Sequence, residues 1–182
     1  MPDDNSKDKD AVIIKGYYAS RAVYHEIPFV NRKMHGMAKY YYESGALWHN
    51  TPYANGEIHG LETHYYESGA LRRESQYENG KRHGIDKFYY RSGALKWEFP
   101  YVDGKEHGIE KWYYKSGALQ QEALFVEGRM HGIRKEYYES GALWWETPYI
   151  SGKEHGVAKE YDESGALWRR TLYVNGMYKG VI

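Results

Sequence analysis

YYKSGALQQEALFVEGRMHGIRKE, from Tyr113 to Glu136, decides the fold, because the chain is made of successive versions of it. The tetrad Ser-Gly-Ala-Leu opens at Ser44, Ser68, Ser92, Ser116, Ser140 and Ser164, each 24 residues after the last. His-Gly keeps the same step, from His35 through His59, His83, His107 and His131 to His155. A fixed period of this size marks an array whose units bury their apolar surface only against their neighbours. Seven units fit, beginning at Tyr17, Tyr41, Tyr65, Tyr89, Tyr113, Tyr137 and Tyr161.

Inside each unit two Gly-containing turns alternate with two short runs. One turn is Lys115-Ser116-Gly117-Ala118 and the other Val126-Glu127-Gly128-Arg129, with Asn-Gly, Asp-Gly or Ser-Gly in sister units. Such dipeptides supply the positive φ angles of two-residue hairpins. The runs between are rich in Tyr, Trp, Phe, Thr and Ile and too short for an average helix, so they read as strands. The expected fold is all-β, an elongated single-layer antiparallel meander of about seven 24-residue hairpins and about 14 strands.

Outside the array, residues 1–10 (MPDDNSKDKD) read as a disordered polar tail. Residues 11–182 read as a single repeat domain with altered capping units at both ends. At the first end Arg21 and Arg32 stand where Gly is expected, and at the last Lys179 replaces His. The apolar run Ala11 to Ile14 marks a sheet end, where unpaired backbone groups favour a homo-dimer.

Charges set the register. With Ser116-Gly117 as the turn pair, Lys111 opposes Glu122, Lys87 opposes Glu98 and Lys135 opposes Glu146. A three-residue loop would oppose Glu110 to Glu122 and Asp86 to Glu98. Opposite charges across a ladder gain about 0.2–1 kcal/mol each and like charges lose it, so the two-residue register is expected. It sets Gly108 opposite Phe125 and Gly60 opposite Tyr77, where a ring could cover the glycine backbone. One face then carries Trp112, Tyr114, Leu119 and Phe125, and the other His107, Ile109, Lys111, Tyr113, Glu122 and Leu124.

Lys plus Arg and Asp plus Glu are 25 each, which removes the basic excess a nucleic-acid binder or an adsorber to anionic membranes would carry. Cysteine is absent, no apolar run suits a signal peptide and none approaches a membrane span; the expected location is the cytoplasm. Tyr at 21 and Trp at 6 argue against disorder despite a mean hydropathy of −0.87.

The paired aromatics Tyr113-Tyr114, the Ser116-Gly117-Ala118-Leu119 turn, Phe125, Gly128 and His131-Gly132, with equivalents in every complete unit, resemble the MORN repeat family in its bacterial variant. The resemblance covers Tyr17 to the C-terminus and departs at Arg21, Arg32 and Lys179. It implies a binding or scaffolding role, with bacterial variants described as antitoxin-like. A weaker likeness to choline-binding hairpin repeats is local to Trp112-Tyr113-Tyr114; sister units carry Tyr40, His64, Phe88 and Glu136 at the Trp position.

Catalytic and metal chemistry find little support. Equivalent histidines lie two strands apart, about 10 Å, too far to share a zinc ion held at about 2.0 Å; hydrogen-bonded rings beside turns are expected instead. Glu74, Glu98, Glu122 and Glu146 read as members of cross-strand pairs rather than acid–base dyads. No nucleophile elbow, phosphate loop or His-Glu-x-x-His is present. The function expected is a non-catalytic, cofactor-free scaffold binding a protein, such as a toxin it neutralises; the alternative is a lipid or small-ligand module built on aromatic ladders. Candidate contact residues are those that vary between units: Trp48, Trp97, Trp112, Trp144, Trp145 and Trp168, with Arg72 and Arg73. Strand alternation places adjacent Trp144 and Trp145 on opposite faces.

Overall fold

The computed structural model describes residues 11–182; the tail read over residues 1–10 lies outside them. The described residues form twenty strands, each antiparallel to those it pairs with, and no helix. They divide into two compact units, one ending at Arg82 and the other spanning His83–Ile182. Each unit is an open, single-layer hairpin meander. The strand count exceeds fourteen because short two-residue pieces, such as Lys105–Glu106, are cut from the strands that follow them.

In the quoted stretch the strands are Gly108–Tyr113, Leu119–Val126 and Arg129–Tyr137. The second turn is the two-residue type expected: Glu127 and Gly128 have φ of 51° and 77°. Such turns also bind their neighbours, since Gly128 N–H donates to Glu106 C=O and Gly152 N–H to Met130 C=O.

The first turn differs from expectation. Tyr114 N–H donates to Ala118 C=O at 2.9 Å, and Gly117 N–H donates back to Tyr114 C=O at 3.0 Å, so the loop has three residues, Lys115 to Gly117. Gly117 takes the left-handed position with φ 91°. One extra residue is then absorbed as a β-bulge: Tyr113 faces Leu119 and Trp112 faces Gln121, leaving Gln120 unpaired. Past the bulge the expected register holds, with Lys111 on Glu122, Lys87 on Glu98 and Lys135 on Glu146. The expected loop length is corrected from two residues to three, while the register expected with it stands. The bulge moves Leu119 to the face of Tyr113, not that of Trp112 as expected.

The same turn persists where glycine is missing, for Arg21 holds φ 70°. A side chain there carries the steric cost of the left-handed region, about 1 kcal/mol. Arg21→Gly should therefore raise the urea midpoint of the protein by the equivalent of about 1 kcal/mol. An unchanged midpoint would show that the Arg21 side chain offsets its own strain.

At four of its six positions the His-Gly step has a cause the sequence reading missed. Gly108 opposes Phe125 as expected, but no atom of that ring comes near enough to cover it. What a Cβ would meet is the ring of Pro100, with Cγ at 2.9 Å; Gly36, Gly60 and Gly156 meet Pro28, Pro52 and Pro148 in the same way. Proline has no N–H, so the ladder breaks there and only its carbonyl is used, accepting from His107 N–H at 2.9 Å. Where the unit carries Leu124 instead, His131 pairs with it and Arg129–Tyr137 runs unbroken. Ring cover of a glycine does occur at Gly16, whose face is closed by the imidazole of His25.

In the second compact unit paired tyrosines tie neighbouring repeats together. Tyr114 Oη donates to Tyr137 C=O at 2.7 Å and Tyr138 Oη to Tyr161 C=O at 3.0 Å. From the other face Tyr113 Oη donates back to Glu98 and Tyr137 Oη to Glu122, both at 2.9 Å. Burial and these carboxylates push both phenols up to about 12. In the last unit Asp162 replaces the second tyrosine and bonds Ser164 and Ala166 N–H within its own turn.

With one layer there is no second sheet to pack on, and in each unit the buried residues lie on one face: Ala38, Thr51 and Ser75 in the first, and Asp86, Glu110, Ala123, Thr147, Ala158 and Thr171 in the second. They are small or polar. Stability is thus spread over rung-to-rung contacts instead of a central core.

Candidate functional site

In each unit the variable residues lie on the ring-bearing face. Each bulge puts two consecutive residues opposite one, and both turn to that face. Trp48, Arg72, Trp144 and Trp168 occupy the extra position; Arg73, Trp97 and Trp145 follow it; Trp112 faces Gln121 and also pairs with Trp97. Trp144 and Trp145 are 6.4 Å apart centroid to centroid, and Trp144 lies 5.8 Å from Tyr138 on the same face. The expectation that they face opposite sides is corrected by the bulge, which suspends strand alternation for one residue.

In the first unit the face is a run of ring contacts. Tyr18 and Tyr24 are 5.1 Å apart and Tyr24 and Tyr40 6.0 Å; Tyr40 stacks on His49 at 4.1 Å and His49 on His64 at 4.8 Å. Trp48 meets His49 edge-on at 4.6 Å, and the Arg72 guanidinium lies 5.8 Å from the Tyr66 centroid. Pairs of this kind are worth about 0.5–1.5 kcal/mol each beyond burial.

His49 lies between Tyr40 and His64 in this run. Burial first, and the neighbouring His64 second, hold its pKa down to about 4. Glu62 pulls the other way and also approaches His64 at 3.3 Å. Burial alone would raise Glu62, but hydrogen bonds from His64 and Thr51 carry it below the ordinary value. The folded His49 pKa lies below the unfolded one of about 6.5, so the unfolded chain binds more protons between the two. Stability from this residue is present above pH 6.5 and is lost as pH falls toward 4. A half-shielded ring is partly screened, which leaves about 1–2 kcal/mol. His49→Phe, an aromatic as at Trp97 and Trp145, should flatten the fall in thermal midpoint between pH 6.5 and 4. An identical fall in both proteins would assign it elsewhere.

In the second unit the rings are grouped. Phe88, Trp97 and Trp112 follow one another at 5.5 and 6.0 Å, and Trp97 meets Phe99 edge-on, with Phe125 beyond at 5.3 Å. The Arg169 guanidinium sits 5.5 Å from the Trp145 ring and 5.2 Å from that of Trp168, while pairing with Glu160 at 2.7 Å. Trp144 is 38% and Trp168 68% exposed, and the other candidate tryptophans are half-buried. Sequence reasoning set Phe125 on the Trp112 face but missed Phe99 and Arg169; their register with the tryptophans was the only signal for them.

The balanced net charge conceals a division between faces of this unit. Asp86, Glu106, Glu110, Glu136, Glu154 and Glu160 lie on the ring-bearing side, against Lys96, Arg134 and Arg169. The other side has Lys87, Lys111, Lys135 and Lys159 along its middle row, interleaved with Glu98, Glu122 and Glu146, and Lys105, Arg129 and Lys153 beside them. It also leaves aliphatic side chains in water, with Ile85, Ile109 and Ile133 each about half exposed. Lys159 faces Arg170 there, and turns to Glu146 at 3.6 Å.

The repeated histidines border the turns. Asn55, Asn79 and Asn175 N–H approach Nδ1 of His35, His59 and His155, each at 3.4 Å. Among the described residues no group of three or more His, Cys, Asp or Glu is placed to hold a metal ion.

The family model of the MORN repeat variant matches residues 34–55, 58–79, 106–127, 130–150 and 154–175, more than half of the chain. No curated protein matches it.

Proposed function

Because this chain belongs to the family of MORN repeat variants, we propose that it is a non-catalytic scaffold that binds a partner protein through its ring-bearing face, and that the partner is a toxin or effector neutralised by the contact. The observation that carries this reading is the doubling of variable side chains at each bulge, which sets Trp144 beside Trp145 on one face. Tryptophan and arginine supply large contact area at low entropic cost and dominate protein-binding hot spots. Repetition of the same residues from unit to unit also suits an extended contact better than one asymmetric catalytic constellation. The test is capture from native lysate by the immobilised chain, followed by co-expression with the captured protein. Relief of growth arrest supports neutralisation; capture without relief retains the scaffold and removes the toxin.

A second reading, attachment to an anionic lipid surface, is favoured by the opposite face, where exposed Ile85, Ile109 and Ile133 lie beside rows of lysine. Vesicles with and without phosphatidylserine distinguish the two. Salt-sensitive sedimentation with the anionic vesicles, lost in Ile109→Glu but not in Trp144→Ala, would replace the protein-binding reading.

A further inference from the structure

The ring row of the second unit, Phe88, Trp97 and Trp112, gives way to Gln121 and Glu136 before Trp145. Where sister strands carry Trp97 and Trp145, this strand has Gln121, and the residue two positions on is the small, buried Ala123. The gap is an open depression of about 610 Å³. Its walls include Trp112, Phe99 and Phe125, and its carboxylates are Glu106, Glu110 and Glu136. Glu110 is only 5% exposed and accepts from the Trp112 indole N–H; burial raises its pKa. Glu136 pairs with Arg134 at 2.8 Å, which leaves Glu106 and Glu110 to set an excess of negative charge in a face already acidic.

Aromatic faces and carboxylates converging on one concavity suit a cation that is also flat. A guanidinium stacks on an indole and offers a planar fork of donors, whereas an aliphatic side chain would leave Glu110 unanswered. We propose that the depression at Gln121 receives an arginine side chain of the partner protein, stacked against Trp112 and facing Glu110 and Glu106. The proposal rests on the protein-binding reading and assigns its partner a basic residue at the contact. Zero net charge over the chain conceals this preference, because the acidic side of this unit selects a basic surface.

The test follows the Trp112 indole N–H signal of the full chain by NMR during titration with N-acetyl-arginine amide, with N-acetyl-norleucine amide as control. A saturable shift in the millimolar range is expected for arginine alone, weakening as salt rises, since a single side chain on an open surface binds no more tightly. Gln121→Trp fills the gap with the residue its sister strands already tolerate, and should raise the dissociation constant at least about tenfold in a folded protein. Glu110→Gln keeps an acceptor for Trp112 and should weaken binding by about tenfold through loss of charge. A shift that fails to saturate, an equal response to norleucine amide, or an unchanged constant in Gln121→Trp would overturn the proposal. Partner capture from lysate by wild type and Gln121→Trp alike would also overturn it while leaving the scaffold reading intact.

Discussion

Gly108→Ala is expected to cost about 3 kcal/mol of unfolding free energy, and Gly132→Ala, one unit further on, about 1 kcal/mol. Both glycines have positive φ, 120° and 72°, so both substitutions place a side chain in the left-handed half of conformational space. They differ in what the new methyl group meets. At Gly108 it would lie 2.9 Å from Pro100 Cγ, and a proline ring in a ladder cannot swing aside; at Gly132 nothing lies within 4 Å. Strain and overpacking add in the first case, and strain acts alone in the second. Urea unfolding of the two variants measures the difference. The Pro100→Ala, Gly108→Ala double variant should recover most of the overpacking component, because the two residues act through one contact. Equal losses at the two glycines, or no recovery in the double variant, would refute the proline contact as the reason for glycine at position 108.

That contact shows where the sequence was readable and where it was not. Period, strand type, hairpin count and the Lys111–Glu122 register follow from residues compared one against another, since charge pairing needs only the ladder and not the loop. The bulge at Gln120 escaped because it is a backbone device, signalled by little more than the third residue of the turn being Gly117. Missing it misplaced Leu119 and separated Trp144 from Trp145. The glycine after each histidine was assigned to a cross-strand ring through correct register but without depth. The better signal was on the page: Pro28, Pro52, Pro100 and Pro148 stand eight residues before Gly36, Gly60, Gly108 and Gly156. The acidic side of the second unit could not be read from composition, because a sum over the chain erases the alternation that separates Glu110 from Lys111. The contact face was legible only as a set of variable tryptophans, and it took the bulge geometry to put them on one side.

Trp144→Ala together with Trp145→Ala should reduce capture of the partner protein at least about a hundredfold, the loss of one strong hot spot or two moderate ones. The single variants are expected to differ in stability and agree in binding. Trp144 is partly exposed and touches Tyr138 and Trp145, so its removal should cost less than about 1 kcal/mol. Trp145 is half-buried, pairs across both neighbouring strands with Glu136 and Glu160, and lies under the Arg169 guanidinium. Its removal should cost about 2–3 kcal/mol while leaving the β-rich circular dichroism intact, because rung-to-rung contacts elsewhere persist. Since both rings lie on one face, each single variant should weaken capture, and Ile109→Ser on the opposite face should not. Binding measured well below the thermal midpoint of every variant separates lost contact from lost fold. Capture that follows stability across the set, or that fails in Ile109→Ser while surviving in Trp144→Ala, would remove the ring-bearing face as the contact surface and leave the tryptophans as packing between rungs.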